Sequence, residues 1–204
     1  MNTRVNRVIV IALTLVVLGG CDSASTGGSS RGSQSRREIA EIQRRIVPTQ
    51  HLFADADLAL VRKAVAGYMK AVFPIEVEKP GYLETQMMEW TQWRFPSRTR
   101  VSVELENDED RPNNVVMHVV ALKIEPLINE DELRSGRPVS WTWRLQGSRK
   151  DVEEVVVGQI VRRYLLLRQG KNPDTVPLEG PIPGLSPKQD GYFKPGASSP
   201  GRDR

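Results

Sequence analysis

Cysteine is nearly absent from this chain: of 204 residues, Cys21 is the sole one. A single thiol excludes an internal disulfide and any multi-cysteine metal site. Histidine is almost as scarce. His51 and His118 lie far apart and share no metal-ligand spacing with an acid or with each other. The sequence contains no G-x-S-x-G, no H-E-x-x-H, no P-loop and no G-x-G-x-x-G. No catalytic set, metal site or cofactor is therefore expected, and the chain reads as a non-enzyme. A hydrolase would require His118 in a cleft beside a carboxylate or hydroxyl. Charge of one sign is also lacking. Against 29 basic residues stand 25 acidic ones, so the basicity is not a nucleic-acid footprint. Beyond the N-terminus no apolar run is long enough to cross a membrane.

The N-terminus is where the composition is distinctive. Arg4 and Arg7 precede an apolar stretch from Val8 to Leu18, and no acidic residue appears before Asp22. That stretch has the length of a signal-peptide core and is too short to span about 30 Å of hydrocarbon. Leu18-Gly19-Gly20-Cys21 follows, with small residues just before the thiol.

This order resembles the signal peptide and lipobox of bacterial lipoproteins. The resemblance implies diacylglyceryl transfer to the Cys21 thiol, cleavage before it, and acylation of the new amine. Two or more chains give stable anchoring where one does not, at about 0.8 kcal/mol per buried methylene. The alternatives are a plain secretory signal with an incidental cysteine, or an uncleaved anchor. Asp22 reads either as a linker residue or, by the same resemblance, as an inner-membrane retention signal. Loss of residues 1–20 removes two basic residues and leaves a nearly balanced mature chain without a free thiol.

Residues 22–36 are mostly Ser, Gly, Thr, Ala, Gln and Arg, too polar to order themselves. They read as a tether with an r.m.s. span of roughly 20 Å. At the other end, residues 171–204 are rich in proline and glycine and lack periodicity, which predicts a disordered tail. The domain organisation read from the sequence is thus signal peptide 1–20, lipidated Cys21 and linker to 36, globular domain 37–170, and tail 171–204.

Within the domain, Ile39, Ile42 and Ile46 predict a short helix over about 37–46, stopped by Pro48. Leu58, Val61, Val65, Tyr68, Met69 and Val72 predict a stronger helix over 57–72, with Asp55 as its cap. The period then changes to two. Ile75 and Val77 alternate with glutamates, and Lys79-Pro80-Gly81 is a turn. Strands are expected over 83–92, 98–106, 115–125 and 139–146. Ser148 is the expected cap of a helix over 150–169, with Asp151 and Glu153 near its positive end and Gly170 at its close. The expected fold is α+β: one antiparallel sheet of about 3–4 strands with two main helices on one face.

The four tryptophans are the most informative side chains. Trp90 and Trp93 lie near the end of one strand, and Trp141 and Trp143 on one face of another. Strand aromatics usually fill a core. Their functional alternative is an exposed patch that grips a peptide, glycan or partner, near Arg94, Arg98, Arg100 and Arg144. The acidic runs Glu106, Asp108, Glu109, Asp110 and Glu130, Asp131, Glu132 lack the spacing of a calcium loop and read as solvated loops. Over residues 55–170 the order of elements, through Gly81-Tyr82-Leu83-Glu84-Thr85, Glu89-Trp90 and Arg98 to Val103, is similar to that of small envelope lipoproteins. Among these are accessory lipoproteins of outer-membrane protein or lipopolysaccharide assembly. The resemblance transfers no functional residue. The function expected is a lipid-anchored, non-catalytic scaffold or partner-binding protein of the bacterial envelope. It would be held at the cell membrane or outer membrane through Cys21, with its domain outside the cytoplasm and an envelope protein as partner. The alternative is a periplasmic or surface binding module for a glycan, lipid or peptide.

Overall fold

Two apolar periodicities, 3.6 and 2, divide the domain into helices that cover a sheet and the strands they cover. The computed structural model describes residues 34–92, 95–108, 110–127 and 142–175. Residues 1–33, which include the stretches read as signal peptide and lipobox and most of the expected tether, and residues 176–204 lie outside them. Among the described residues are three helices: α1 (Arg36–Arg45), α2 (Leu58–Val72) and α3 (Lys150–Arg168). A 3-10 turn, Pro173–Thr175, follows α3. None of these helices is long and apolar enough to cross a membrane.

The sheet is antiparallel throughout and has seven strands, not the 3–4 expected. They are β1 (Thr49–Phe53), β2 (Ile75–Lys79), β3 (Tyr82–Thr85), β4 (Met88–Gln92), β5 (Phe95–Asn107), β6 (Val115–Leu127) and β7 (Thr142–Ser148). The long hairpin β5–β6 is its spine. At one end the order is β1-β6-β5-β3-β2; at the other, β7 flanks β6 and β4 flanks β5.

Three features account for the corrected count. The alternation of Ile75 and Val77 with glutamates is a strand in its own right, β2, paired with β3. Thr49–Phe53 is an edge strand whose burial alternates but whose hydropathy does not, since Leu52 sits on the exposed side at 51 %, so its sequence carried no strand signal. The expected strand over 83–92 is two strands on the same edge of β5. Leu83 pairs with Val103 and Met88 with Thr99, so the register slips by one residue between them. This is a β-bulge at Gln86–Met87. Its loose backbone groups are satisfied locally. The Thr85 hydroxyl accepts from Val101 N–H at 3.0 Å and donates to Gln86 C=O, while Gln86 N–H reaches Pro74 C=O. A second bulge lies where β7 meets β6, with Gly147 at φ 144, a conformation side chains rarely adopt.

The core lies between the sheet and the two long helices. α2 contributes Val61, Ala64, Val65, Tyr68, Met69 and Val72, and α3 contributes Val152, Val156, Ile160 and Tyr164. They cover Leu83, Met88, Val101, Val103, Val115, Met117, Val119 and Ala121. Burying each such side chain is worth about 1.5–3 kcal/mol. Gly67 lets α3 approach α2: a Cβ there would meet the Arg163 guanidinium at 3.3 Å. Arg163 in turn pairs with Asp174 and so holds the 3-10 turn against α3.

The helix caps differ from expectation. Asp57, not Asp55, caps α2, accepting from Ala59 N–H at 2.8 Å. Asp55 instead takes φ 46 in the turn before it, where its N–H donates to Asn114 Oδ1. Ser148 belongs to β7, and α3 begins after Arg149 with no side-chain cap. Ser35 and Glu38 form a full capping box on α1.

One arrangement joins sheet and helix. β1 and β7 both pair with the same edge of β6, but β1 stops at Val119 and β7 starts at Leu122. The gap is filled from α3. Glu153, 0 % exposed, accepts from Ala121 N–H at 3.0 Å, and Arg149 N–H donates to Ala121 C=O at 2.7 Å. The same carboxylate accepts from the Thr49 hydroxyl and from Lys150 Nζ, each at 2.6 Å. On the outer edge of β7, the Gln34 side-chain amide donates to Leu145 C=O and accepts from Leu145 N–H. It thus pairs with the strand as a neighbouring peptide would.

Candidate functional site

Pleating sends the alternate residues of β5 and β6 away from the helices. On β5 these are Arg98, Arg100, Ser102, Glu104 and Glu106; on β6 they include His118, Val120, Leu122 and Ile124. Val120, Leu122 and, on β7, Leu145 are buried yet stand outside the main core. Beside them runs a ladder of charge.

At one end of the ladder the Arg98 guanidinium lies 3.8 Å from the centre of the Trp143 ring. Arg98 also pairs with Glu89 across the β4–β5 register at 2.9 Å. A cation over an indole face is worth about 0.5–1 kcal/mol when exposed and more when desolvated. In the middle, Arg100 bridges Glu76 at 2.9 Å and Glu84 at 3.2 Å, and Glu84 accepts from the Tyr82 hydroxyl. Burial, then that bond to Glu84, pushes the Tyr82 hydroxyl well above its ordinary range. At the far end Glu104 sits opposite His118. Burial and the neighbouring Glu106 raise the Glu104 carboxyl above its usual value, and His118 opposes them. His118 Nε2 lies 3.5 Å from Glu106 Oε2, and neither ring nitrogen makes a hydrogen bond.

Of the four tryptophans, for which core filling is the expectation and an exposed patch the alternative, only Trp143 has its side chain among the described residues. Trp143 is half-buried on β7 and carries the Arg98 stack. Trp90 has its backbone on β4 opposite Ser97, one position out of step with the Glu89–Arg98 pair, and its side chain lies outside the described residues. Trp93, Trp141, Arg94 and Cys21 also lie outside them. So do Glu109 and Glu130, Asp131 and Glu132 of the two acidic runs. Of the arginines placed near the patch, Arg98 and Arg100 share the ladder, whereas Arg144 pairs in register with Glu125, out of step with Trp143.

Comparison of the chain with protein-family models, curated proteins and solved structures gives no match. The site must therefore be judged on its own chemistry. His118 does have a carboxylate beside it, as a hydrolase would need, but at 3 % exposure its ring is out of a substrate's reach. No group of three or more potential ligands among the described residues is placed to hold a metal ion. Among the described residues the ladder presents alternating charges, with half-exposed carboxylates at Glu76, Glu89 and Glu106, and the Trp143 ring at one end.

Sequence reasoning missed Tyr82, Glu84 and Glu104 as members of this ladder. The strict alternation of Ser102, Glu104 and Glu106 with Val101, Val103 and Leu105 was the available signal, because it placed three polar residues on one side of a strand.

Proposed function

We propose that this protein is a lipid-anchored component of the bacterial cell envelope that binds a partner protein without catalysis. Cys21 would moor it, and the charged ladder ending at Trp143 would carry the contact. The observation that supports this most is the Arg98–Trp143 stack beside the Glu89 carboxylate. Tryptophan and arginine are the residue types that most often dominate protein interfaces. The mixed charges along β5 suit a complementary ladder, which favours specificity and association rate.

Mild crosslinking of the full chain at native abundance, followed by affinity capture, tests the reading. One envelope protein should be enriched with the unaltered chain and lost with Trp143→Ala and with Arg98→Ala. Recovery of no envelope protein above background, or of the same set from both variants, would refute it. Intact mass of the mature protein tests the mooring separately: acyl chains are expected on residue 21, and a free thiol there would remove the anchor.

A further inference from the structure

The partner-binding reading concerns the sheet face away from the core helices. A separate feature lies on the helix side, where α2 runs out over the β2–β3 turn. There a half-open groove of about 350 Å³ separates α2 from the sheet. Ligand pockets run from about 300 to 1,000 Å³, so this one suits a single chain or ring.

Its floor is apolar. Val65 and Ala66 of α2 face Leu83 of β3 and Val103 and Leu105 of β5. The space exists for local reasons. Ala66 is small, and Gly81 at the turn has φ 82, where a side chain is strained; a Cβ there would also stand 3.2 Å from Leu105 C=O. Gly81 C=O accepts from Leu105 N–H at 2.7 Å, which fixes the turn against β5 and holds the groove open.

Its rim carries two cations and one anion. Arg62, Lys79 and Glu78 border it. Glu78 is already neutralised by Lys70 at 2.8 Å. Arg62 and Lys79 are exposed and have no carboxylate partner among the described residues. An apolar floor beneath two uncompensated cations is complementary to a molecule with an apolar body and an anionic head. We propose that this groove binds a single-chain anionic amphiphile, an alkyl chain ending in a carboxylate or a phosphate. The chain lies on Ala66 and Leu105, the half-buried apolar residues of the lining, above the buried Val65, Leu83 and Val103, and the head group lies between Arg62 and Lys79. A flexible Lys and a forked Arg both suit carboxylate and phosphate.

The test uses the full chain in its own membrane and three photoreactive alkyl probes that differ only in head group: carboxylate, phosphate and trimethylammonium. Labelled peptides are mapped by mass spectrometry. The two anionic probes should label residues 62–66, 81–83 or 103–105 and be displaced by the unlabelled compound. The better competitor distinguishes a fatty-acid-like from a phospholipid-like source. Ala66→Trp, which fills the groove, should abolish labelling. Arg62→Ala with Lys79→Ala should reduce it about tenfold, the factor carried by roughly 1.4 kcal/mol. Both of the latter side chains are at the surface, so this variant decides the question even if Ala66→Trp does not fold. Equal labelling by the cationic probe would overturn the proposal. So would labelling unchanged by Arg62→Ala with Lys79→Ala, or a failure of both anionic probes to label the groove.

Discussion

Removal of the Glu153 carboxylate should be among the most damaging single changes in this domain. Glu153→Ala strips the Ala121 N–H of its acceptor at a point where that edge of β6 has no neighbouring strand. A buried donor left unsatisfied costs about 1–3 kcal/mol. The Thr49 hydroxyl loses a 2.6 Å partner in the same step. Lys150, with its side chain half exposed, relaxes into water and adds little. Breaking a buried, hydrogen-bonded charge by removing one member costs about 3–5 kcal/mol in all. For a chain of this size that lowers the melting temperature by roughly 10 °C, at about 2–4 °C per kcal/mol. Glu153→Gln keeps one carbonyl oxygen to accept from Ala121 N–H, while its NH2 stands where the other oxygen was, so the Thr49 hydroxyl must turn to accept and the attraction to Lys150 is lost. It should cost about 1–2 kcal/mol, near the value of one charge-assisted bond. Thermal unfolding followed by far-ultraviolet circular dichroism reads both variants. A Glu153→Ala melting point within 2 °C of the unaltered protein, on the same scale, would refute the view that this side chain stands in for a missing strand.

Two further outcomes follow from single contacts. Gly67→Ala gains about 1 kcal/mol of helix propensity but presses on the Arg163 guanidinium; it should be near neutral alone and stabilising once Arg163 is alanine, as a double-mutant cycle in urea would read. Glu104 has its carboxyl raised by burial and by Glu106. A raised folded-state value means the stability it contributes is full below the ordinary carboxyl range and is lost as pH rises through the raised value. Glu104→Gln should therefore raise the melting point at pH 7.5 and change it little at pH 4, and a pH-independent effect would contradict the assignment.

Much of this fold is legible in the residues, and the gaps have physical causes. The stripes Val61, Val65, Tyr68, Met69, Val72 and Val152, Val156, Ile160, Tyr164 are buried as their spacing predicts, because helix periodicity directly encodes a covered side. Val101 and Val103 follow the same logic in β5. β1 is different: its Gln50 and Leu52 are both exposed, so tertiary pairing with β6 rather than pattern makes it a strand. Glu153 looked like an ordinary acid at a helix start, because no local rule registers a gap in a distant strand edge. The candidate site shows the same division. Trp143 and Arg98 could be singled out from the sequence, but their stacking depends on the β5–β6 and β6–β7 registers together, and the second contains a bulge.

The extra residue at Gln86–Met87 works as a frame shift in the pleat. Before it, Leu83 faces the helices from an odd-numbered position; after it, Met88 does so from an even one, at 3 % exposure. Deleting one residue there would restore an unbroken pleat: Leu83 and Met88 would stand an even number of positions apart, both facing the helices, with Met88 still opposite Thr99 and Glu89 opposite Arg98. Inserting one, with the bulge otherwise kept, would turn Met88 out of the core or slide β4 along β5 and part Glu89 from Arg98, so homologous chains should tolerate a deletion at this bend more readily than an insertion.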